Sequence, residues 1–300
     1  MNKVIFLFLS VILFLQLTET INKIINDNKI EKSVIVSFTT YKNRLLTSSV
    51  DNMIKSILNQ TITPYKIVMT LYKDDVKYIT NYIDSLINKN TIELLICNED
   101  IKPHKKYFYV MQKYKNYPII TLDDDIIYEN NTIESLINSY ILYPNCISAR
   151  RVHKMTFNRL YKLKPYYKWR HEYDKEIKPS YYLFATNGAG ALFPPHILNI
   201  TNDLLSDIYK CLNADDVYLK YLEIKNKIKT VYVKNDKPMG FPIDDYEVQE
   251  SALYYNNYLE NENDVYIKLF NIVYYDEKFI FSIILDILLF ISLWYLLIKI

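Results

Sequence analysis

The sequence predicts an α/β fold: a mainly parallel sheet with helices on both faces, plus a hydrophobic helix at each end. Three observations predict it. Between residues 33 and 143, short β-branched apolar runs alternate with segments of helical periodicity. No internal repeat and no Pro- or Ser-rich linker divides that stretch. Apolar runs stand at residues 4–17 and 279–298.

The elements follow in order. Residues 33–40 form a short β-branched run, which reads as a buried strand. Residues 43–59 carry apolar side chains at helical spacing, among them Leu46, Val50, Met53, Ile54 and Ile57. Residues 65–71 make a second strand, and residues 74–87 a second helix with acids at its start. Residues 92–97 are a third strand. Pro103 opens a helical segment that runs to Tyr114, residues 118–122 are a fourth strand, and residues 129–143 another helix. Such an order builds a parallel sheet whose ligands bind beyond the carboxyl ends of its strands. Residues 39–44 and 123–125 fall at two of those ends. The stretch from about 146 to 245 is less regular and is expected to supply an acceptor side.

The chain has 300 residues, half of them hydrophobic, enough for a sizeable core. A net charge of +2 with no basic block argues against a nucleic-acid surface. Cys97, Cys146 and Cys211 contain no CxxC pair, which argues against a zinc site or a disulfide framework. Glycine is scarce, three residues in all, so each one retained marks a place where a side chain does not fit.

The ends divide from the core. Residues 1–20 read as a signal anchor or signal peptide, with an uncleaved anchor preferred because no small-x-small cleavage site follows. Residues 21–32 are a polar stem, 33–245 the core domain, 246–278 a C-terminal extension, and 279–298 a candidate transmembrane helix of bilayer-spanning length. Asp286 near its middle costs roughly 3 kcal/mol in lipid; a buried or interfacial helix is the other reading. With Lys3 and Lys299 on one side, the positive-inside rule makes that side cytosolic. The core then faces the endoplasmic reticulum or Golgi lumen or the cell surface; a cytosol-facing core follows if the first run does not span. Sequons at Asn59, Asn130 and Asn199 are compatible with a lumenal core.

Three constellations carry chemistry. Asp123-Asp124-Asp125 ends an apolar strand, where three carboxylates repel unless a cation compensates. Mn²⁺ or Mg²⁺ prefers such oxygen ligands and bridges them to a diphosphate, whereas the plainer reading is a solvated acidic turn. Asn187-Gly188-Ala189-Gly190 holds two of the three glycines ahead of an apolar strand, either a tight bend or a close backbone approach to a ligand. Asp215-Asp216 opens a helix, either as a simple cap or as a general base for an attacking hydroxyl. Lys105 and Lys106 after Pro103, and Arg150, Arg151 and Lys154 further on, are either the counter-charge for a diphosphate or, the plainer reading for any one of them, solvated surface charge. His153 and Trp169 read as packing residues.

Taken together, these residues resemble glycosyltransferases of the A fold, a Rossmann-related architecture, and within them the family-2-like enzymes. The resemblance runs from about residue 33 to residue 234. Ser37-Phe38-Thr39-Thr40-Tyr41-Lys42-Asn43-Arg44 and Ser56-Ile57-Leu58-Asn59-Gln60-Thr61 look like the family's opening strand and helix, and Asp123-Asp124-Asp125 looks like its DxD motif. Ser148–His153, Asn187–Gly190 and Ala214-Asp215-Asp216 follow in the expected order. The resemblance implies that residues 33–245 are a catalytic domain moving a sugar from a nucleotide-sugar donor to an acceptor hydroxyl on a glycan, lipid or protein. It implies donor binding by Thr39, Tyr41, Arg44, Asp123 and Asp124, to which the basic residue Lys105 is added by its position. It further implies metal ligation by Asp123 and Asp125, with Asp125 the chief ligand, and an acceptor side at Asn187, Gly188, Ala189 and Gly190. Asp216 is the implied base, with Asp215 second, because the pair here is Asp-Asp where the family has Glu-Asp. An inverting mechanism is implied, with retention left open. Two other readings stand beside this one. A nucleotidyltransferase would carry a Gly-rich phosphate loop near the first strand, which is missing here. A non-catalytic, membrane-anchored carbohydrate- or nucleotide-binding protein would bind without turnover.

Overall fold

The computed structural model describes residues 33–175, 178–234, 241–242, 262–273 and 277–298, together with Gln16. The expected anchor and stem, and most of the expected C-terminal extension, lie outside the described residues. The strands are β1 (Ile35–Thr39), β2 (Lys66–Tyr72), β3 (Ile92–Cys97), β4 (Ile119–Thr121), β5 (Ile126–Ile127), β6 (Cys146–Ala149), β7 (Val152–Lys154), β8 (Leu183–Ala185), β9 (Ala191–Phe193), β10 (Lys229–Tyr232) and β11 (Phe241–Pro242). The helices are α1 (Lys42–Leu45), α2 (Ser49–Leu58), α3 (Asn81–Asn88), α4 (Lys105–Lys113), α5 (Thr132–Leu142), α6 (Leu205–Ile208), α7 (Asp215–Lys225), α8 (Glu262–Leu269) and α9 (Glu277–Ile298).

A seven-stranded sheet of order β10-β6-β9-β4-β1-β2-β3 forms the centre. β3, β2, β1 and β4 run parallel, as does β10 with β6, while β9 runs antiparallel to both β4 and β6. The architecture is therefore the mainly parallel α/β sheet that the sequence predicts, with one strand reversed. β9 is reversed because it enters the sheet from the Asn187–Gly190 bend, at the end where β4 and β6 leave it. Apolar side chains of β1 alternate between two cores: Ile35 joins the one filled from α4 and α7, while Val36 and Phe38 join the one filled from α2, α3 and α5. Helices thus cover both faces.

Two predicted helices differ in detail. The one expected over residues 43–59 is broken. Thr47 Oγ1 donates to the Arg44 carbonyl at 2.8 Å and accepts from the Ser49 amide at 3.2 Å, which ends α1 and starts α2. The one expected over residues 74–87 begins only at Asn81, because Thr80 caps it through the Ile83 amide; its acids lie in a 3₁₀ segment, Lys73–Tyr78.

Two small ribbons complete the fold, β5 with β11 and β7 with β8, both antiparallel. At the C-terminus the backbone of α9 is helical over 22 residues. Side chains at 277–278, 282, 293 and 295–298 lie outside the description. Among the described residues no helix is long and apolar enough to cross a membrane.

Candidate functional site

β4 ends at Thr121, and the chain leaves the sheet into the three aspartates. The Leu122 amide still donates to the Ser37 carbonyl of β1 at 3.0 Å, so the turn begins at Asp123. There the backbone is gripped by Tyr128: the Asp123 amide meets the Tyr128 hydroxyl at 2.7 Å, and that hydroxyl donates to the Gly188 carbonyl at 2.5 Å. Tyr128 is buried and ties the acidic strand end to the glycine segment.

The two acidic motifs meet at one lysine. Lys106, on the first turn of α4, places Nζ 2.8 Å from Asp123 Oδ1 and 2.8 Å from Asp215 Oδ2. Ser37 Oγ donates to the Lys106 carbonyl at 2.5 Å and fixes the helix start against β1. Burial alone would lower the Lys106 pKa, but the charges of Asp123, Asp215 and Asp216 hold the ammonium well above its ordinary range. Burial would likewise raise Asp123, and protein crowds it on most sides although 38% of its side chain remains accessible. Lys106, with Arg151 and Arg44, nevertheless holds its carboxyl below the usual range.

The other two acids of the strand end are less well compensated. Arg44 Nη2 donates to Asp125 Oδ2 at 3.0 Å, with Tyr41 beside the guanidinium. Burial, then the neighbouring Asp125 charge, pushes Asp124 up to about 7 despite Arg44, and Asp124 Oδ2 is buried with no hydrogen-bond partner. Burial and the Asp123 charge raise Asp125 as well. Nε and Nη1 of Arg44 are also buried without partners, and the Thr40 hydroxyl lies close enough to bear on Asp124. A cluster of unsatisfied donors and acceptors at a strand end is what a polar ligand would complete.

Asp215 and Asp216 open α7, whose N-cap is Ala214. Neither carboxylate is spent on its own helix: Asp215 meets Lys106, and Asp216 Oδ1 accepts from the Asn187 amide at 2.9 Å and from Asn187 Nδ2 at 2.8 Å. Burial, then the Asp215 charge, raises Asp216 to about 7, which is the range of a working general base at neutral pH.

Gly188 has a steric reason. A Cβ there would lie 1.5 Å from Asp123 Oδ2, so only glycine lets this carboxylate rest on the backbone. Gly190 has a conformational one, a φ of +108° that few side chains adopt. The segment is thus both a close approach and a tight bend, and Ala189 is buried between the two glycines.

The sequence-predicted residues divide. Arg44, Asp123, Asp124, Asp125, Asn187, Gly188, Asp215 and Asp216 come together. Thr39 stands at the same strand end, with Oγ1 donating to the Thr70 carbonyl at 2.7 Å. Lys105 is carried away: its Nζ bonds Asp100 at 2.6 Å and it is 2% exposed. Arg150 is buried with its guanidinium on Thr132, whereas Arg151 Nε donates to Thr186 Oγ1 at 2.5 Å beside the site. His153 and Trp169 are packing residues, as expected. Tyr128 drew no attention in the sequence, and its only signal was a buried aromatic five residues beyond the first aspartate.

The residues present fit a hard divalent cation. The donors are all carboxylate oxygens, and the negative charge at the strand end exceeds what Arg44 and Lys106 neutralise. Among the described residues no group of three or more ligating side chains is gathered. Mg²⁺-type sites commonly use one or two carboxylates with the substrate's phosphates; Asp123 and Asp125 are the candidates, each of them ion-paired here, to Lys106 and to Arg44.

No family model and no curated protein matches the chain. Among solved structures, S. aureus TarS 1–349 aligns at 14% identity and a TM-score of 0.43, covering 73% of this chain and 62% of that one. The chain thus spans less than two thirds of that structure. A 4-diphosphocytidyl-2C-methyl-D-erythritol synthase from Anaerococcus prevotii DSM 20548 aligns at 13% identity and a TM-score of 0.42, covering 77% and 98%. Likenesses this distant carry no weight for activity.

Proposed function

We propose that the chain is a glycosyltransferase that moves a sugar from a nucleotide-sugar donor to an acceptor hydroxyl, with inversion at the anomeric carbon. One observation carries the reading: Lys106 lies 2.8 Å from both Asp123 and Asp215 and so joins two acidic motifs far apart in sequence into one site. Arg44, Thr39, Tyr41 and Asp124 line the donor side at the ends of β1 and β4. Asp123 and Asp125 would hold Mn²⁺ or Mg²⁺, which neutralises the leaving diphosphate when bound. Asp216 takes the acceptor proton as the acceptor oxygen bonds to the anomeric carbon. The bond to the diphosphate breaks, and its electron pair leaves on the nucleotide. Asn187 orients Asp216 through two hydrogen bonds to one oxygen, which leaves the other carboxylate oxygen to accept that proton. Lys106 and Arg151 add positive charge where negative charge develops.

The reading includes a membrane tether. Residues 287–291 of α9 are successive large apolar side chains, each at least half exposed, so this stretch is apolar all round rather than on one stripe. That pattern suits lipid better than a protein groove, and the proposal takes the whole run 279–298 as a span, with residues 1–20 as the anchor. Asn59, Asn130 and Asn199 are all exposed, which is compatible with a lumenal or cell-surface catalytic domain; a cytosol-facing domain is the alternative.

The test is nucleotide release by the full chain from a panel of nucleotide sugars, with acceptor extract and Mn²⁺ or Mg²⁺. Release from one donor, abolished by Asp125→Ala and by chelator in folded protein, is expected. Binding without release from any donor favours the non-catalytic binding protein. Undiminished release by Asp125→Ala removes the metal site.

A further inference from the structure

The β7–β8 ribbon extends into a hairpin with no role in the acid cluster. Phe157 pairs with Leu163, and the Lys164 amide donates to the Thr156 carbonyl at 2.8 Å. Asn158 pins the turn: its Oδ1 accepts from the amides of Leu160 at 2.8 Å and Lys162 at 3.0 Å, and Tyr161 takes a φ of +58°. The tip is therefore an ordered turn, yet it presents Leu160 at 75% exposure between exposed Arg159 and Lys162. From Met155 to His171 the sequence has five Lys and Arg and no Asp or Glu, although the whole chain is nearly neutral.

The hairpin also holds α9. Phe279 packs on Phe157 at 5.0 Å, Tyr161 at 5.3 Å and Tyr182 at 5.9 Å between ring centroids. Further along, the Tyr161 hydroxyl donates to Asp286. Seven residues separate Phe279 from Asp286, about 10 Å of helix at 1.5 Å per residue. The tip thus runs beside the first three turns of α9. If α9 enters a bilayer near Phe279, the tip reaches the headgroup and upper acyl layer with it, where interfacial elements bury apolar side chains. Asp286 then has a hydrogen-bond donor at the depth where its charge is costly.

We propose that this hairpin is a second membrane contact, made by the folded domain itself, which inserts Leu160 into an anionic lipid surface with Arg159 and Lys162 on the headgroups. The proposal rests on the tether reading for its depth. Its partner and its side are set by the tip itself: a basic, acid-free turn around an exposed apolar residue matches anionic headgroups, which the cytoplasmic leaflet carries, so the contact implies the cytosol-facing alternative for the domain.

The test uses tryptophan quenching by acyl-brominated lipid in full-length protein reconstituted into vesicles of phosphatidylcholine, with or without phosphatidylserine. The native chain reports α9 through Trp294, with Trp169 as a buried background. A second chain, Leu160→Trp with Trp294→Phe, reports the tip. The expected result is a blue-shifted, quenched tip in phosphatidylserine vesicles. That signal falls severalfold in vesicles of phosphatidylcholine alone, or when Arg159→Glu and Lys162→Glu are added. A tip that emits as in water in both vesicles overturns the proposal. Equal quenching in both vesicles and after charge reversal overturns the anionic partner. Unquenched Trp294 in the native chain sinks the span instead, and the tip signal is then judged on its own.

Discussion

Two buried lysines show how differently this fold uses the same side chain. Lys220 of α7 is 1% exposed and fully engaged: its Nζ bonds Glu223, also 1% exposed, at 2.7 Å and the Leu183 carbonyl at 2.8 Å, while Thr230 donates to the same Glu223 at 2.9 Å. One cation meets one anion, and the network is closed. Lys106 is as deeply set, but it faces Asp123, Asp215 and Asp216 together, while Arg44 faces Asp124 and Asp125. There the charges do not balance and polar atoms are left over. A balanced network locks α7 to β8 and β10. An unbalanced one leaves charge for a ligand to neutralise, the role proposed for it above, and α7 carries both.

The sharpest way to test the contrast is at Asp216. Asp216→Asn keeps the shape but removes the proposed base, and kcat is expected to fall by roughly 10²–10⁴. Because burial and Asp215 disfavour the charge at this position, the melting temperature at pH 8 should not fall. Steady-state kinetics beside a melting curve would show both effects, and loss of stability together with activity would break the distinction.

Lys220 should behave in the opposite way. Lys220→Met strands Glu223 and is expected to destabilise by about 3–5 kcal/mol in denaturant titration. Adding Glu223→Leu should recover much of that loss. KM for the donor in the folded fraction should stay as it was.

Gly188→Ala comes next. Its methyl group would displace the Asp123 carboxylate from its seat on the backbone, and a misplacement of this kind costs about 100-fold in kcat/KM. Donor kinetics with a folding control would check it; wild-type kinetics would mean that the seat has no part in catalysis.

The smallest effect belongs to His104, fully buried between the Tyr107 hydroxyl and the Cys211 carbonyl below the open cluster. Burial lowers its pKa to about 4. Such a depressed group contributes stability that is present above pH 6.5 and lost as pH falls toward 4. Between pH 7 and pH 5 the loss is about 2 kcal/mol. Unfolding free energies across that window should show the slope, and His104→Gln should flatten it.

The first half of the fold was legible because buried parallel strands are written as short β-branched runs, and β1 to β4 carry them plainly. The acids were legible because their position after an apolar strand is itself a structural statement. Lys105 and Lys106 were not separable, since successive helical residues point about 100° apart and only the helix phase decides which one faces the site. Tyr128 and the Lys220–Glu223 pair escaped notice because each acts through a contact distant in sequence. The hairpin at 155–164 was passed over as irregular, because its order comes from Asn158 and from α9 rather than from an apolar pattern.

The account's central claim is that the unbalanced cluster is a ligand site. Thermal stability of the full chain with nucleoside diphosphates and Mn²⁺ tests it most directly. One nucleotide should raise the melting point of the wild type, by roughly RT ln(1 + [L]/Kd), and leave Asp125→Ala unmoved. No shift with any nucleotide, or the same shift in Asp125→Ala, would contradict it.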